Sequence, residues 1–540
     1  MTEQNKRIAS AIKDAANAEQ AAGTERKSAA TRLVEMAMKK YGFGISTVGE
    51  AYALPKSGPK IVALLRGSKT SLRGQLACEY FRKTRKAAPQ QALADALAVL
   101  DGMAQESEET ELYLRVAKHE DEFWLDLGDK LGRAVKITSR GWSVCDEPSV
   151  LFKRTVLNGA LPDPVPGDLN DLWRLLNVSV KDRPLLAAWL VAILFPDIAH
   201  PVLAFLGEQG TAKTTAQKML VNAVDPGPVP TRKPPRDPDS WVTAAAGSWL
   251  VGLDNLSKIP DWLSDSICRA VTGDGDVRRK LYTDGEHAVF AFRRCVCLNG
   301  IDLGSLRGDL AERLLPIQME VIHESKRLTE EEVRNRWDEA HAGILGAILD
   351  LTAKVIRLLP SVELASKPRM ADFARILAAV DTVMETTGLE HYISKQKMIA
   401  LDSLSSDPFL LALADMRSNF TGTSAELLAR LRQDKPPKDW PANARAVTTR
   451  LKRNAPALRK AGWIVTEDGA HNQSNVTRWT LEHPESIRNS SSSDSLSSSD
   501  HEPTSNTSNA NGESQDDRCP QCDDEGCAWC SIEIAEEVRL

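Results

Sequence analysis

Apolar residues recur along this chain with a spacing that changes near residue 111. Up to that point the sequence is polar and Ala-rich, and its apolar positions follow a helical period, as in Gln90 to Ala104. From Glu111 to about Val144, short apolar segments alternate with glycine and charged turns, which is typical of strands. The pattern predicts a helical region over residues 1–110, then a small β-rich module with a connecting helix over residues 111–180.

Farther along, continuous apolar runs alternate with helical segments. This alternation over residues 181–325 is typical of an α/β core with a parallel sheet. Residues 326–404 are predicted to be a helical lid or connector, and residues 405–484 a module of helices followed by two strands. Three apolar runs end in polar residues and predict buried strands of the core: Pro201 to Leu206, Trp249 to Leu253 and Arg294 to Leu298.

A glycine loop follows the first of these strands and has the layout of a phosphate-binding loop. Its strand, glycine turn, Lys-Thr pair and following helix occur in the order that this motif requires. Main-chain N–H groups and the helix start would hold the phosphates of ATP, Lys213 would reach the β and γ phosphates, and Thr214 would ligate Mg²⁺. Ala212 departs from the motif, because glycine usually precedes the lysine. The nucleotide-binding residues predicted are Gly207, Glu208, Gln209, Gly210, Thr211, Ala212, Lys213, Thr214 and Thr215.

Polar residues at the ends of the other two strands are candidates for the same site. Asp254 is placed to hold Mg²⁺, and Asn299 to reach the γ-phosphate and its attacking water. Asn255 stands where many such enzymes have a glutamate, so the catalytic base stays unassigned and slow turnover is a consistent outcome. Arg313, in Asp309 to Pro316, is either an arginine that acts on a neighbouring subunit's γ-phosphate or an ordinary surface ion pair.

Length and composition narrow the class of protein. The chain has 540 residues and a formal net charge of −6, so contacts with nucleic acid must come from local basic patches. Lys56 to Lys86 holds nine Lys or Arg against one acidic residue, which suits either a phosphate backbone or a solvated face. We expect a cytoplasmic protein, because five of the nine cysteines are scattered without a disulfide-like framework and nothing suggests secretion. We expect no membrane partner, because the longest apolar run, Pro184 to Phe195, is too short for a bilayer.

The combination of motifs resembles the ATPase core of superfamily 3 helicases, which are AAA+ replication proteins of small viruses, phages and plasmids. The P-loop, Asp254, the segment Val271 to Tyr282, Asn299 and Arg313 occur in the family's order over residues 180–320. The resemblance implies a ring, expected to be a homo-hexamer, with ATP at subunit interfaces. It also implies that Arg278, Arg279 and Lys280 lie on a hairpin that contacts single-stranded DNA in a central channel.

The C-terminal third carries two further candidate binding modules. A helix, a basic helix and two strands over residues 405–484 resemble a winged helix. Its Arg445, Arg450, Lys452 and Arg453 would contact double-stranded DNA, and a protein-docking module is the alternative. Residues 485–517 are Ser-rich and predicted to be a disordered linker. In residues 518–540 two C-x-x-C pairs provide four thiolates for zinc, unless they are reduced cysteines in a disordered tail: Cys519, Cys522, Cys527 and Cys530.

These observations predict a multidomain α/β protein with an AAA+ type P-loop ATPase core, a helical and small β-rich N-terminal region, a C-terminal winged helix and a disordered tail. The leading hypothesis is an ATP-dependent DNA helicase or translocase that replicates a phage, plasmid or integrated mobile element, with ATP and Mg²⁺ as cofactors. Residues 1–150 contain no primase-type catalytic cluster, so a primase or polymerase would be a separate partner. The alternatives are an ATP-controlled DNA-binding initiator with little unwinding and a P-loop ATPase without DNA.

Overall fold

A five-stranded parallel sheet lies at the centre of residues 181–325. The computed structural model describes residues 27–66, 71–273, 275–279, 287–291, 293–300, 308–405, 407–437, 439–468 and 477–484. In the sheet the strands follow the order β12-β13-β16-β11-β17, and every neighbouring pair is parallel. The strands are β11 (Val202–Leu206), β12 (Thr231–Arg232), β13 (Leu250–Leu253), β16 (Cys295–Asn299) and β17 (Leu314–Gln318). The strand that precedes the glycine loop therefore lies between β16 and β17, and β13 lies beyond β16.

Both faces of this sheet are covered, which explains why its strands read as continuous apolar runs. Alternate residues of β11 enter different hydrophobic clusters: Leu203 and Phe205 face one, Val202 and Ala204 the other. The helices that cover the sheet between Arg183 and Ala311 are α5 (Arg183–Ala192), α6 (Lys213–Val224), α7 (Pro238–Ala246), α8 (Asp261–Thr272) and α9 (Gly308–Ala311). An antiparallel pair, β14 (Gly275–Arg279) and β15 (His287–Ala291), follows α8.

Residues 29–110 form an α/β unit, so the predicted helical region was wrong for residues 41–64 and 109–110. The sheet has the order β3-β2-β1-β4. Tyr41, Phe43 and Ile45 alternate with glycines along β1, and a side chain on Gly44 would meet the Tyr52 ring at 2.6 Å, so this pairing depends on glycine. The elements are α1 (Ala29–Lys40), β1 (Tyr41–Ser46), β2 (Ala51–Pro55), β3 (Ala63–Leu64), α2 (Leu72–Thr84), α3 (Gln90–Gln105) and β4 (Glu109–Thr110).

The strands predicted after residue 111 are present as an antiparallel four-stranded sheet in the order β6-β7-β8-β9, with a separate parallel pair β5-β10. The strands are β5 (Leu112–Tyr113), β6 (Val116–His119), β7 (Glu122–Asp126), β8 (Ala134–Thr138), β9 (Gly141–Cys145) and β10 (Leu151–Phe152), and helix α4 (Leu169–Leu175) follows. Leu125 and Val135 pack in the same hydrophobic cluster as Leu203 of the parallel sheet and Ile348. The predicted division between residues 180 and 181 is therefore not a boundary in packing, whereas the residues before 111 have a hydrophobic cluster of their own.

A buried ion pair joins the β-rich module to the parallel sheet. The Arg115 Nε donates to Asp225 Oδ1 at 2.8 Å, and both side chains are buried, at 0% and 3% exposure. The other guanidinium nitrogens donate to main-chain carbonyls, including that of Gly159 at 2.8 Å. Asp225 Oδ2 accepts from the backbone N–H groups of Trp249 and Leu250 at 2.9 and 3.0 Å, so the same carboxylate holds the start of β13.

Three helices follow the parallel sheet: α10 (Glu330–Leu358), α11 (Ala371–Met384) and α12 (Gly388–Ser405). Residues 407–484 then form a module with its own hydrophobic cluster, in which Trp479 is buried and donates from Nε1 to Ser424 Oγ at 3.1 Å. Besides the predicted helices and two strands, the module has a third strand, and its sheet order is β18-β20-β19. Its elements are α13 (Pro408–Asp415), β18 (Phe420–Thr423), α14 (Ser424–Arg430), α15 (Ala444–Lys460), β19 (Ile464–Asp468) and β20 (Arg478–Glu482).

Within the described ranges, no helix has the length and apolar character that a membrane-spanning helix needs.

Candidate nucleotide-binding site

The loop between β11 and α6 turns through three residues with positive φ: Gly207 at 140°, Gly210 at 82° and Ala212 at 62°. A Cβ on Gly207 would lie 3.0 Å from the Met319 carbonyl oxygen, so this position needs glycine for space as well as for φ. Ala212 is the N-cap of α6, and a left-handed conformation costs a residue with a Cβ about 1–2 kcal/mol. Ala212 therefore differs from the glycine of the motif in two ways: it adds a methyl group to the loop, and it adopts a backbone conformation that is costly for a residue with a Cβ.

Lys213 lies across this loop. Its Nζ donates to the Gly207 carbonyl at 2.7 Å, to the Glu208 carbonyl and to Thr211 Oγ1 at 3.4 Å. Partial burial lowers the pKa of the Lys213 ammonium. The start of α6 directs main-chain N–H groups into the same loop, and such a helix start favours bound anions. The cation and the N–H groups are thus gathered at the position where a phosphate chain would bind.

Three polar side chains from separate elements meet beside the loop. The Thr214 hydroxyl donates to Asp254 Oδ1 at 2.9 Å, and Asn299 Nδ2 lies 3.3 Å from the same hydroxyl. Asp254 follows β13 and Asn299 ends β16, so both come from the carboxyl edge of the parallel sheet, where ligands of open α/β sheets bind. A hydroxyl and a carboxylate at this distance are oxygen ligands that suit Mg²⁺.

Asn255 also lies here, but its backbone makes the described contact. Its N–H donates to Asn299 Oδ1 at 2.7 Å, and its φ is 58°. Asparagine is among the few residues that adopt this left-handed conformation readily. The residue is exposed at the strand end. The site therefore has an amide, and no carboxylate, at the position predicted to orient water.

Gln217 is part of this arrangement and was missed by the sequence analysis. It is fully buried, and its Nε2 donates to the carbonyls of Leu253 at 3.0 Å and Cys297 at 2.7 Å. Its Oε1 accepts from Asn299 Nδ2 at 2.7 Å. One residue thus connects α6 to the ends of β13 and β16. The available signal was a polar residue among the apolar positions of α6, one turn after Lys213.

The structure does not bring Arg313 to this site. Arg313 precedes β17, and its carbonyl accepts from Val202 N–H at the start of β11, so it lies at the opposite edge of the sheet from the loop. A five-residue strand spans about 17 Å. Arg313 is only 8% exposed, and its guanidinium donates to the Asp309 carbonyl at 2.8 Å and pairs with the Asp309 carboxylate. Although burial acts to raise the pKa of Asp309, the hydrogen bond and charge of Arg313 hold it below its usual value.

The Arg313 pair belongs to a chain of charges that reaches α15. Arg369 pairs with Asp309 at 2.9 Å and with Glu312 at 3.5 Å. Glu312 in turn pairs with Lys460, in the last turn of α15, at 3.0 Å. Asp309, Glu312, Arg369 and Lys460 line a cleft between α15 and the helices of the parallel sheet.

The predicted DNA-binding residues fall on two elements. Arg278 and Arg279 lie on β14, opposite Ala288 and His287 of β15, while Lys280 lies outside the described residues. On α15, Arg445 is exposed and Arg453 lines the cleft beside Lys460. Two others pair with acids of their own module: Arg450 with Asp407 at 3.2 Å and Lys452 with Glu467 at 2.5 Å. The predicted disordered linker and zinc-binding cysteines, Cys519, Cys522, Cys527 and Cys530, also lie outside the described residues.

A parallel sheet with a glycine loop, a Lys-Thr pair and an acidic strand end is consistent with a P-loop ATPase type of core. Comparison with protein-family models then identifies the particular family. The chain belongs to the actinomycete integrative conjugative element replication proteins: the model of that family matches residues 169–407, and the model of its C-terminal domain matches residues 409–498. The prediction that the chain is a replication protein of a mobile element is thereby confirmed. A comparison with curated protein sequences finds no match.

Several solved structures are similar to this chain at low identity. One is described as the active helicase Cch of SCCmec type IV, with 12% identity and a TM-score of 0.42, covering 83% of this chain and 94% of that one. The C-terminal region of NrS-1 has 12% identity and a TM-score of 0.38, covering 85% and 100%. The JCV helicase has 10% identity and a TM-score of 0.20, covering 44% and 72%. Nothing about activity follows from likenesses at this level.

Proposed function

We propose that this protein is an ATP-dependent DNA helicase or translocase that serves replication of its integrative conjugative element. The observation that carries the proposal is the meeting of Thr214, Asp254 and Asn299 beside the glycine loop. P-loop motors place a magnesium-ligating hydroxyl, an acidic strand end and a water-orienting amide in this relation. An AAA+ type of core accounts for the position of β16 between β11 and β13.

In this mechanism the chain binds ATP with the main-chain N–H groups of the loop and with Lys213 on the β and γ phosphates. Thr214 and Asp254 would hold Mg²⁺, which neutralises phosphate charge when bound. Asn299, held by Gln217, would orient the attacking water together with Asn255. Neither amide can accept a proton from that water, so we expect slow turnover without DNA.

DNA would be contacted by two basic elements. Arg278, Arg279 and Lys280 would track the phosphates of a single strand through a homo-hexameric ring, with contacts that tolerate any sequence. Residues 407–484 would act as a winged helix on double-stranded DNA, with Arg445 exposed at the start of α15. Recognition helices use their N-terminal residues for base contacts, which suits this position.

The second candidate is an ATP-controlled DNA-binding initiator with little unwinding. Two observations favour it: Asn255 replaces the usual carboxylate, and the cleft-side residues of α15 pair with the core through Lys460 and Glu312. An initiator would bind ATP and duplex DNA yet turn over slowly whether or not single-stranded DNA is present.

The test compares ATP turnover with and without single-stranded DNA, beside a strand-displacement assay. Lys213→Ala should abolish turnover, whereas Lys218→Ala, an exposed lysine on the same helix, should not. Parent-like turnover in Lys213→Ala would refute the phosphate-binding loop.

The triple variant Arg278→Ala, Arg279→Ala, Lys280→Ala then separates the motor from the initiator. It should keep basal ATP turnover, and lose stimulation by DNA and strand displacement. Its single-strand binding should depend less on salt, by about 0.7 log–log units for each phosphate that the variant no longer neutralises. The double variant Arg334→Ala, Arg336→Ala removes exposed positive charge from α10 and serves as the control. Parent-like unwinding by the triple variant would favour the initiator.

A further inference from the structure

The chain passes back along the glycine loop after it leaves β17. Met319 N–H donates to the Leu206 carbonyl at 2.8 Å, directly before the loop. The Met319 carbonyl oxygen lies 3.0 Å from the place that a Cβ on Gly207 would occupy. The segment between β17 and α10 is therefore built against the loop, although it lies far from it in the sequence.

Arg327 brings a guanidinium to the loop from this segment. Its Nη2 lies 3.6 Å from the Cβ position of Gly210, and it is the one atom from elsewhere in the described chain within 4 Å of that position. Gly210 stands in the middle of the loop, three residues before Lys213. A side chain with a long flexible stem at this place can carry its charge across the loop to a bound phosphate chain.

The backbone of Arg327 is fixed on both sides. A short 3-10 helix (Glu324–Lys326) precedes it, and the Arg327 N–H donates to the Glu324 carbonyl at 3.2 Å. Thr329 then begins α10 with a capping box, in which the Thr329 N–H donates to Glu332 Oε2 at 2.8 Å. The arginine is thus presented by two ordered turns.

The Arg327 guanidinium is also available for a ligand. Arg327 is exposed, and no carboxylate in the described part of the chain forms an ion pair with it. Arg313, in contrast, is buried with Asp309 at the far edge of the sheet. Of these two arginines, Arg327 is the one that can reach a nucleotide held by the loop of its own subunit.

We infer that Arg327 is a second cationic ligand of the nucleotide's phosphates, supplied by the same subunit as Lys213. This inference rests on the proposed ATP-binding function. A guanidinium suits the role because its planar fork can donate two parallel hydrogen bonds to phosphate oxygens, whereas an ammonium acts as a point charge. Together, Lys213 and Arg327 would supply two cations to the phosphates from two separate elements of the same subunit.

The experiment measures ATP, ADP and AMP affinities by titration calorimetry with the full-length protein. Arg327→Ala should weaken ATP binding about 10- to 100-fold, the range for removal of a hydrogen bond to a charged group, and should weaken AMP binding much less. Arg327→Lys should recover only part of the affinity. Lys326→Ala removes a neighbouring exposed cation and should bind ATP like the parent.

Parent-like ATP affinity in Arg327→Ala would overturn the inference, as would an equal loss for AMP and ATP. Lys213→Ala in the same assay distinguishes a failure of the Arg327 inference from a failure of the proposed nucleotide site. If it loses ATP binding while Arg327→Ala does not, only the role of Arg327 fails; if neither loses binding, the proposed nucleotide site fails.

Mixed subunits test whether the arginine acts within its own subunit. Neither Arg327→Ala nor Lys213→Ala subunits would contain a complete site, so mixing them should restore no ATP turnover. Rescue in this mixture would assign Arg327 to the neighbour's nucleotide and overturn the inference. Mixtures of Arg313→Ala and Lys213→Ala subunits should instead regain ATP turnover if Arg313 acts across subunits. Co-assembly in these mixtures would be shown by tag pull-down.

Discussion

Gln217 should determine how well the nucleotide site is assembled. Replacing it with Leu removes the amide but keeps a similar volume, and replacing it with Glu keeps the shape but exchanges the donor for a carboxylate oxygen. Gln217→Leu releases Asn299 from its 2.7 Å hydrogen bond, whereas Gln217→Glu keeps an oxygen that can accept from Asn299 Nδ2. Both changes leave the Leu253 and Cys297 carbonyls without the Gln217 donor.

The contacts of Gln217 predict which of the two substitutions destabilises the fold more. Gln217→Leu loses three buried hydrogen bonds, and at about 1 kcal/mol each this should lower the free energy of unfolding by about 3 kcal/mol. Gln217→Glu faces two carbonyl oxygens with a buried carboxylate that has no counter-ion. A charge left unpaired in this way costs about 3–5 kcal/mol, so Glu should be at least as destabilising as Leu at pH 7.

Denaturant unfolding and ATP turnover of purified variants would measure both consequences. We expect turnover to fall more than nucleotide affinity, because in the proposed mechanism Asn299 would orient the attacking water, while Lys213 and the loop stay in place. Lys218→Ala, next along α6 and exposed, should change stability by less than about 0.5 kcal/mol. If Gln217→Leu unfolds and hydrolyses ATP like the parent, the amide does not hold the strand ends together and the reasoning is wrong.

Four further changes test other parts of the molecule. Arg115→Met should lower the free energy of unfolding, measured in urea, by about 3–5 kcal/mol, because it leaves the buried Asp225 carboxylate without its ion-pair partner. Ala212→Gly should stabilise the protein by about 0.5–1 kcal/mol in the same assay, since glycine accepts the left-handed backbone. Asn255→Asp should raise ATP turnover several-fold at unchanged nucleotide affinity, because a carboxylate can take the water's proton. Burial lowers the pKa of His200 to about 3, so below pH 6.5 the unfolded chain binds a proton that the folded chain does not. Stability therefore falls as the pH falls, and His200→Leu should remove about 2 kcal/mol of the loss between pH 6.5 and 5.

The sequence predicted those features that local pattern controls. The P-loop could be found because strand, glycine turn and Lys-Thr pair are contiguous, and Asp254 and Asn299 because each ends an apolar run. The N-terminal strands were missed because β1 and β2 are short and contain glycine and alanine. Their pairing depends on the fit of Tyr52 against Gly44, and residue composition does not reveal such a fit.

Long-range contacts account for the rest. Gln217 finds its partners in strands that begin far along the chain, and Arg327 reaches Gly210 only because β17 returns the chain to the loop. Arg115 looks like a strand charge in the sequence, yet its partner Asp225 lies 110 residues away. These contacts become visible only when the order of strands in the sheet is known.

The charges that connect Arg313 to α15 share their partners. Asp309 serves both Arg313 and Arg369, and Glu312 serves both Arg369 and Lys460. If DNA bound α15, as proposed, and took Lys460 away from Glu312, Arg369 would be the remaining partner of Glu312 and would compete less with Arg313 for Asp309. The Arg313–Asp309 pair and the occupancy of α15 by DNA would then be linked equilibria. By reciprocity, a change that strengthens the Arg313–Asp309 pair would favour DNA binding, and a change that releases Arg313 would weaken it.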